Sequence, residues 1–323
     1  MPTPEATTTR QEVLSVAKLS PMLLPQVQAA TLLHDRIHVD DQAAFAAAAP
    51  RITGIIASGE SKVGADLIAQ LPALRVISVM GVGYDGVDVA AAKAAGAVVT
   101  HTPGVLNDDV ADLAIALMLA TSRRIVAADH HVRSGDWAAK GPMPLARKMS
   151  GARLGIVGMG RIGQAIAKRA QAFDMPVAYT ARSAKLGLPF TFHADVEALA
   201  RASDFLVVIT PGGAATRRLI DAAVLKALGP DGILINVARG SVVDEAALID
   251  ALEQGVIAGA GLDVFENEPQ VPARMAALPQ VVLTPHVGSA TGHTRQAMAD
   301  LAHANLMAGL HGHPLLTPVP ECQ

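Results

Sequence analysis

Eight short runs rich in β-branched residues recur along this chain, and Ala-rich stretches with helical spacing separate them. They are RITGIIA (51–57), LRVISVM (74–80), AVVT (97–100), RLGIVG (153–158), PVAY (176–179), DFLVVIT (204–210), GILINV (232–237) and VVLTPH (281–286). Strands that alternate with helices specify βαβ units, and βαβ units specify a parallel sheet. Several of the runs are apolar without alternation, as a strand covered on both faces requires. The fold class is therefore α/β, with two doubly wound parallel sheets. A chain of 323 residues has room for two buried cores. Long helical stretches at about Asp108–Val132 and Ala290–Leu310 flank the second group of strands. That placement predicts a split first domain, residues 1–102 and 287–323, with a second domain over 103–286 inserted into it.

Composition excludes several classes. Hydrophobic residues make up 51% and charged residues 17%, so the chain is globular and not disordered. No apolar run reaches the ~18–20 residues of a membrane helix, and the longest, Val110–Ala120, carries Asp112. The N-terminal MPTPEATTT has neither a basic start nor an apolar stretch, so a soluble, cytoplasmic protein is expected. A single cysteine, Cys322, excludes an intrachain disulfide and a Cys-based zinc site. A net charge of −3 and 3% aromatic residues leave no basic stripe with stacking side chains, so neither nucleic acid nor membrane is expected as a partner. His130–His131 and His311-Gly312-His313 lack the spacing and carboxylate partner of a zinc site, and no metal is expected.

A strand followed by G-x-G-x-x-G occurs twice, as GVGYDG (81–86) and GMGRIG (158–163). In the second copy Gly163 falls in the first turn of the helix RIGQAIAKRAQAF, where a missing Cβ lets helix and strand pack closely, and the glycines let main chain approach a pyrophosphate. In the first copy Gly86 precedes the N-cap candidate Asp88, so all three glycines sit in the loop. That copy reads either as an anion-approach turn or as a tight connection. About 20 residues past the second copy, where an NAD site carries an acid, the chain reads Tyr179-Thr180-Ala181-Arg182-Ser183. Arg182 and Ser183 stand where a 2′-phosphate would lie, so NADPH is expected over NADH. The alternative is a solvent-facing arginine.

NVARGSVVDE (236–245), GLDVFENEP (261–269) and TPHVGSAT (284–291) each place polar groups just past a predicted strand, the edge at which open α/β sheets bind ligands. Arg239 can fork onto a carboxylate, Glu268 can hold an imidazole, and His286 can exchange a proton near neutral pH. Taken singly they are a surface cation, a loop carboxylate and a strand-end histidine. Their common sheet edge is what singles them out.

Taken in order, GVGYDGVD, TPGVLNDDVADLAIALML, GMGRIG, NVARGSVVDE, LDVFENEP and TPHVGSAT resemble the D-isomer-specific 2-hydroxyacid dehydrogenases from about Ile52 to His303. Within that family the chain is most similar to glyoxylate/hydroxypyruvate reductases, whose second strand also ends in Tyr-Thr or Tyr-Asn, a small residue and Arg. The resemblance implies a flavodoxin-like substrate domain and a Rossmann cofactor domain. It further implies that Arg239 binds the substrate carboxylate and carbonyl, that His286 is the general acid, and that Glu268 pairs with it. Val82 and Gly83 would hold the carboxylate through main-chain N–H groups, and Asp263 would meet the nicotinamide carboxamide. Gly158, Met159, Gly160, Arg161, Ile162, Gly163, Arg182, Ser183, Thr210, Pro211, Thr216, Val237, Ala238 and Gly288 would complete the cofactor site. Trp137 would lie on an arm around a symmetric partner, near the partner's substrate, so a homodimer is expected. Asn107 in place of a Thr and TPGGAATRRLI (210–220) depart from the family pattern near the cofactor. A short phosphoglycerate dehydrogenase, or a dinucleotide-sensing corepressor on the same fold, is the alternative reading.

Overall fold

A computed structural model describes residues 10–323. The chain divides into two units, one running to Leu106 and resuming at Thr291–Gln323, the other spanning Asn107–Ala290. The sequence reading put the seams at 102/103 and 286/287. In the structure the seams fall at helix starts: Asn107 opens the helix Asn107–Ser122, and Thr291 caps the helix Gly292–His311.

The first unit is built on β1 (Glu12–Ser15), β2 (Leu32–Asp35), β3 (Ile52–Ser58), β4 (Val76–Met80) and β5 (Val98–Thr100). All four pairings are parallel, in the order β2-β1-β3-β4-β5. β3 and β4 are buried almost throughout, which accounts for their uninterrupted apolar sequence. The helix Gly292–His311 lies on this sheet. A Cβ on Gly309 would come within 2.5 Å of Val76 Cβ, and one on Gly54 within 3.0 Å of Leu306 Cδ1, so missing side chains set how closely helix and sheet approach.

The second unit contains β6 (Leu154–Val157), β7 (Val177–Thr180), β8 (Thr191–Phe192), β9 (Phe205–Val208), β10 (Ile233–Asn236), β11 (Gly259–Leu262) and β12 (Val281–Leu283). These are all parallel, in the order β12-β11-β10-β9-β6-β7-β8. Strand order reverses between β6 and β9, the switch point at which such sheets open a crevice.

β11, with the sequence GAGL, carries none of the β-branched residues that mark the other strands. A Cβ on Gly261 would lie 3.0 Å from Leu117 Cβ, and one on Gly259 3.2 Å from Thr121 Cγ2. The helix Asn107–Ser122 therefore sits directly on a strand that must be small. The helical stretch expected over Asp108–Val132 is in fact two helices, Asn107–Ser122 and Ile125–Arg133, because Arg124 adopts a left-handed conformation (φ 54°) between them. No helix among the described residues is long and apolar enough to cross a membrane.

Candidate active site

At the carboxyl edge of the seven-stranded sheet, the residues expected to hold a dinucleotide follow mainly β6, β7 and β9, whereas those expected to do chemistry follow β10, β11 and β12. Gly158 leaves β6 at φ +108°, and a Cβ there would stand 2.7 Å from Ile209 O and 2.9 Å from Thr210 N. The loops after β6 and β9 thus meet main chain to main chain. A Cβ on Gly163 would be 2.1 Å from Gly158 O, so the helix Arg161–Gln171 rests on the turn that precedes it. Gly160 is the N-cap of that helix. No side chain caps the helix, and a Cβ on Gly160 would meet nothing within 4 Å. The first-turn N–H groups, those of Arg161 and Ile162 included, have no intrahelical acceptor, while Met159 is buried beneath them. Open space, unspent donors and the positive end of a helix dipole together fit the pyrophosphate of a dinucleotide.

β7 ends at Thr180, which is buried, and Arg182 and Ser183 beyond it are exposed. Tyr179, buried in the core, accepts a hydrogen bond from Lys185 N (2.7 Å) on its hydroxyl and so ties down the far end of that loop. No carboxylate occurs between residues 180 and 185. Past β9, the Thr216 hydroxyl donates to Pro211 O (2.7 Å) and to Gly213 O (3.3 Å), closing the turn that departs from the family pattern.

Arg239 follows β10 on a turn braced from below. Asn236, buried at the strand end, donates from Nδ2 to Arg239 O (3.0 Å) and accepts from Ala238 N (3.1 Å), while Val237 and Ala238 are buried. A Cβ on Gly240 would lie 1.9 Å from Phe265 C, so this turn is pressed against the segment that leads to Glu268. Glu268 accepts from Phe265 N (2.9 Å) through Oε1 and from His286 Nδ1 (2.7 Å) through Oε2. Burial alone would raise the Glu268 pKa. The hydrogen bonds from His286 and Phe265 and the charges of His286 and Arg239 outweigh it, and they hold the carboxyl below its ordinary range. Glu268 is therefore an anion at neutral pH. Nδ1 of His286 carries the proton it donates to Glu268, and Nε2 is the second ring nitrogen able to exchange one.

Asp263, to which the family resemblance gives only a cofactor contact, also organises the histidine loop. Its carboxylate, buried to 2% exposure, accepts from Thr284 Oγ1 (2.7 Å), Val287 N (2.8 Å) and Gly288 N (2.9 Å). His286 N donates to Asp263 O (2.9 Å), and His286 itself sits at φ +52°, a conformation a non-glycine residue keeps only where its surroundings impose it. Asn236 and Asp263 in this bracing role carried no sequence signal, because a side chain that ties up one turn leaves no periodicity.

In the five-stranded unit, Val82 and Gly83 follow β4. Trp137 lies on the short helix Asp136–Lys140 and is 62% exposed. His131 Nε2 is within 2.8 Å of Gly141 O, and His311 Nδ1 within 2.8 Å of Met307 O, so each has one ring nitrogen engaged by main chain.

A family model described as the D-isomer specific 2-hydroxyacid dehydrogenase, NAD binding domain, matches residues 115–288. A hydroxyphenylpyruvate reductase of Plectranthus scutellarioides is 49% identical over 84% of this chain and 86% of its own length. A 2-ketogluconate reductase of Gluconobacter oxydans is 43% identical over 96% of this chain and 99% of its own. Among solved structures, an NADPH-dependent glyoxylate/hydroxypyruvate reductase of Sinorhizobium meliloti, in complex with NADP and malonate, superposes with a TM-score of 0.92 at 46% identity, covering 97% of this chain and 98% of that one. With two parallel sheets and a histidine–glutamate pair on the same sheet edge as an arginine, the chain belongs to the D-isomer-specific 2-hydroxyacid dehydrogenases.

Proposed function

We propose that this chain is an NADPH-dependent reductase of small 2-oxoacids, glyoxylate and hydroxypyruvate first among them. The observation that carries the reading is the 2.7 Å His286–Glu268 pair on the sheet edge that also bears Arg239. When bound, NADPH supplies the hydride that converts the 2-oxo carbon to an alcohol carbon. Gly158–Gly163 and the first turn of the helix Arg161–Gln171 hold its pyrophosphate. Arg182 and Ser183, exposed where a carboxylate would repel phosphate, take the 2′-phosphate. Asp263 accepts three hydrogen bonds from the His286 loop, which leaves a carboxylate with capacity for one more, from the nicotinamide carboxamide.

Arg239 forks onto the substrate carboxylate and polarises the carbonyl, and His286 delivers a proton from Nε2 to the carbonyl oxygen. Glu268 orients the ring through Nδ1 and stabilises the imidazolium. The main-chain N–H groups of Val82 and Gly83 take the carboxylate, and with glycine at 81 and 83 only Val82 adds a side chain there, which favours small substrates. The relatives named for hydroxyphenylpyruvate and 2-ketogluconate share the 2-oxoacid head and differ in the tail, so the tail is what a test must vary. NADPH oxidation with glyoxylate, hydroxypyruvate, hydroxyphenylpyruvate and 2-ketogluconate should give the highest kcat/KM with the first two. Oxidation with none of the four overturns the reading.

The same proposal includes a cytoplasmic homodimer. Ile125, Val126, Val132, Trp137 and Leu145, all between residues 125 and 145, are at least 50% exposed, an apolar surface that a second copy would cover. A scattering mass of two chains at micromolar concentration is expected, and a monomer mass contradicts it.

A further inference from the structure

We infer that His101 is a positioning residue that aims the main-chain donors of the 81–83 loop at the substrate carboxylate. The inference rests on the reading that Val82 and Gly83 receive that carboxylate. In a trans peptide the carbonyl of one residue and the N–H of the next point in opposite directions, so whatever holds the carbonyl also directs the N–H. Gly81 O accepts from Thr102 N (2.8 Å), which turns the N–H of Val82 away from Thr102. Val82 O lies 2.9 Å from His101 Nδ1. A carbonyl only accepts, so Nδ1 carries the proton, and the N–H of Gly83 is turned away from His101. Two consecutive peptides are thus tied by their carbonyls to one dipeptide, and both N–H groups leave the loop on its opposite side. Neither N–H donates to a protein acceptor among the described residues. Hydrogen bonding at a carbonyl also polarises its peptide and strengthens the N–H beyond it as a donor.

His101 is itself held from behind. Its N–H donates to Thr317 O (3.2 Å), and its carbonyl accepts from Thr317 Oγ1 (2.6 Å). Asn305, fully buried on the helix Gly292–His311, donates to Thr317 Oγ1 (2.7 Å) and accepts from Leu316 N (3.1 Å) and Thr317 N (3.0 Å). The ring of Tyr84 meets that of His101 edge-on at 5.3 Å. A chain of contacts thus runs from Asn305 through Thr317 and His101 to the peptide whose N–H is Gly83's. Gly81 allows the loop its place, since a Cβ there would lie 2.9 Å from Gly59 Cα.

The test compares wild type, His101→Leu, His101→Gln and Thr317→Val for glyoxylate KM, NADPH KM, kcat and Tm. Losing one oriented donor to a carboxylate should raise the glyoxylate KM of His101→Leu about tenfold, with NADPH KM unchanged and kcat kept within a few-fold. His101→Gln, which retains an N–H donor, should recover most of that loss. Thr317→Val should move KM the same way by a smaller factor, and it carries the test if His101→Leu does not fold. A merely structural role would lower Tm and the active fraction, hence kcat, and leave KM alone. If wild type turns over glyoxylate but neither His101→Leu nor Thr317→Val changes its KM, the inference is overturned. Wild type inactive on every 2-oxoacid overturns the functional reading and this one with it.

Discussion

Gly81–Gly86 and Gly158–Gly163 share one spacing, and each follows a strand of a parallel sheet, but their third glycines face different neighbours. A Cβ on Gly86 would stand 2.2 Å from Ser61 O, in a neighbouring loop, whereas one on Gly163 would stand 2.1 Å from Gly158 O, inside its own motif. Around Gly86 the main chain pairs with that loop, Val63 N donating to Gly86 O and Asp88 N to Val63 O, both at 2.9 Å. The helix after the first copy begins only at Val89, and the Asp88 side chain caps it by accepting from Ala91 N (2.9 Å). The helix after the second copy begins at Arg161 with no side-chain cap. An anion site needs a helix start whose donors are unspent, and the spacing of glycines does not report that. In the first copy the usable donors belong to the loop, in the second to the helix.

The proposed function assigns a substrate loop to one unit, and proton transfer and cofactor recognition to the other. His286→Ala tests that division most severely. It should lower kcat by ~10²–10⁴, the range for a positioned acid–base group. A kcat within a few-fold of wild type would take the chemistry away from the second unit's edge.

Arg182→Ala sharpens the role of the second copy. Charge-assisted hydrogen bonds are worth ~1.5–3 kcal/mol, so NADPH kcat/KM should fall about tenfold while NADH is unaffected. Added salt should narrow the wild-type preference, because Arg182 is exposed. Equal loss with both cofactors would show that Arg182 does not read the phosphate.

Glu268→Gln has the smallest expected effect, and its sign is fixed. In the proposed mechanism reduction needs His286 protonated, so activity is expected below the imidazole pKa and lost as pH rises through it. Glu268 is ionised throughout that range, its own pKa being held below the ordinary value because its hydrogen bonds and neighbouring charges outweigh burial, and a carboxylate in contact favours the imidazolium. A neutral amide should therefore move the alkaline limb of the reduction profile to lower pH. An unmoved limb argues against the pair's role in proton transfer.

Each of the eight β-branched runs contains a strand, because most of those strands are buried on parallel sheets and their sequence must be apolar. The four without such a run have physical reasons of their own. β1 (EVLS) has one β-branched residue and β2 (LLHD) none, β8 is a two-residue edge, and β11 is kept small by the helix lying on it. The break at Arg124 is a local left-handed turn within a continuous helical pattern, and periodicity passes over it. Arg239, Glu268 and His286 stood out because each lies just past a strand. Asn236, Asp263 and His101 brace turns by a few hydrogen bonds apiece, and only coordinates reveal such contacts.

The paired glycine experiment tests the central contrast most directly, with NADPH affinity and Tm measured on Gly160→Ala and Gly86→Ala. In Gly160→Ala the added methyl enters open space at the helix start, so Tm should hold while NADPH binding weakens about tenfold. In Gly86→Ala the methyl meets main chain, so Tm should fall by roughly 5 °C or more while the folded protein binds NADPH as wild type does. Wild-type affinity in Gly160→Ala, or lost affinity at unchanged Tm in Gly86→Ala, would contradict the assignment of the dinucleotide to the second copy.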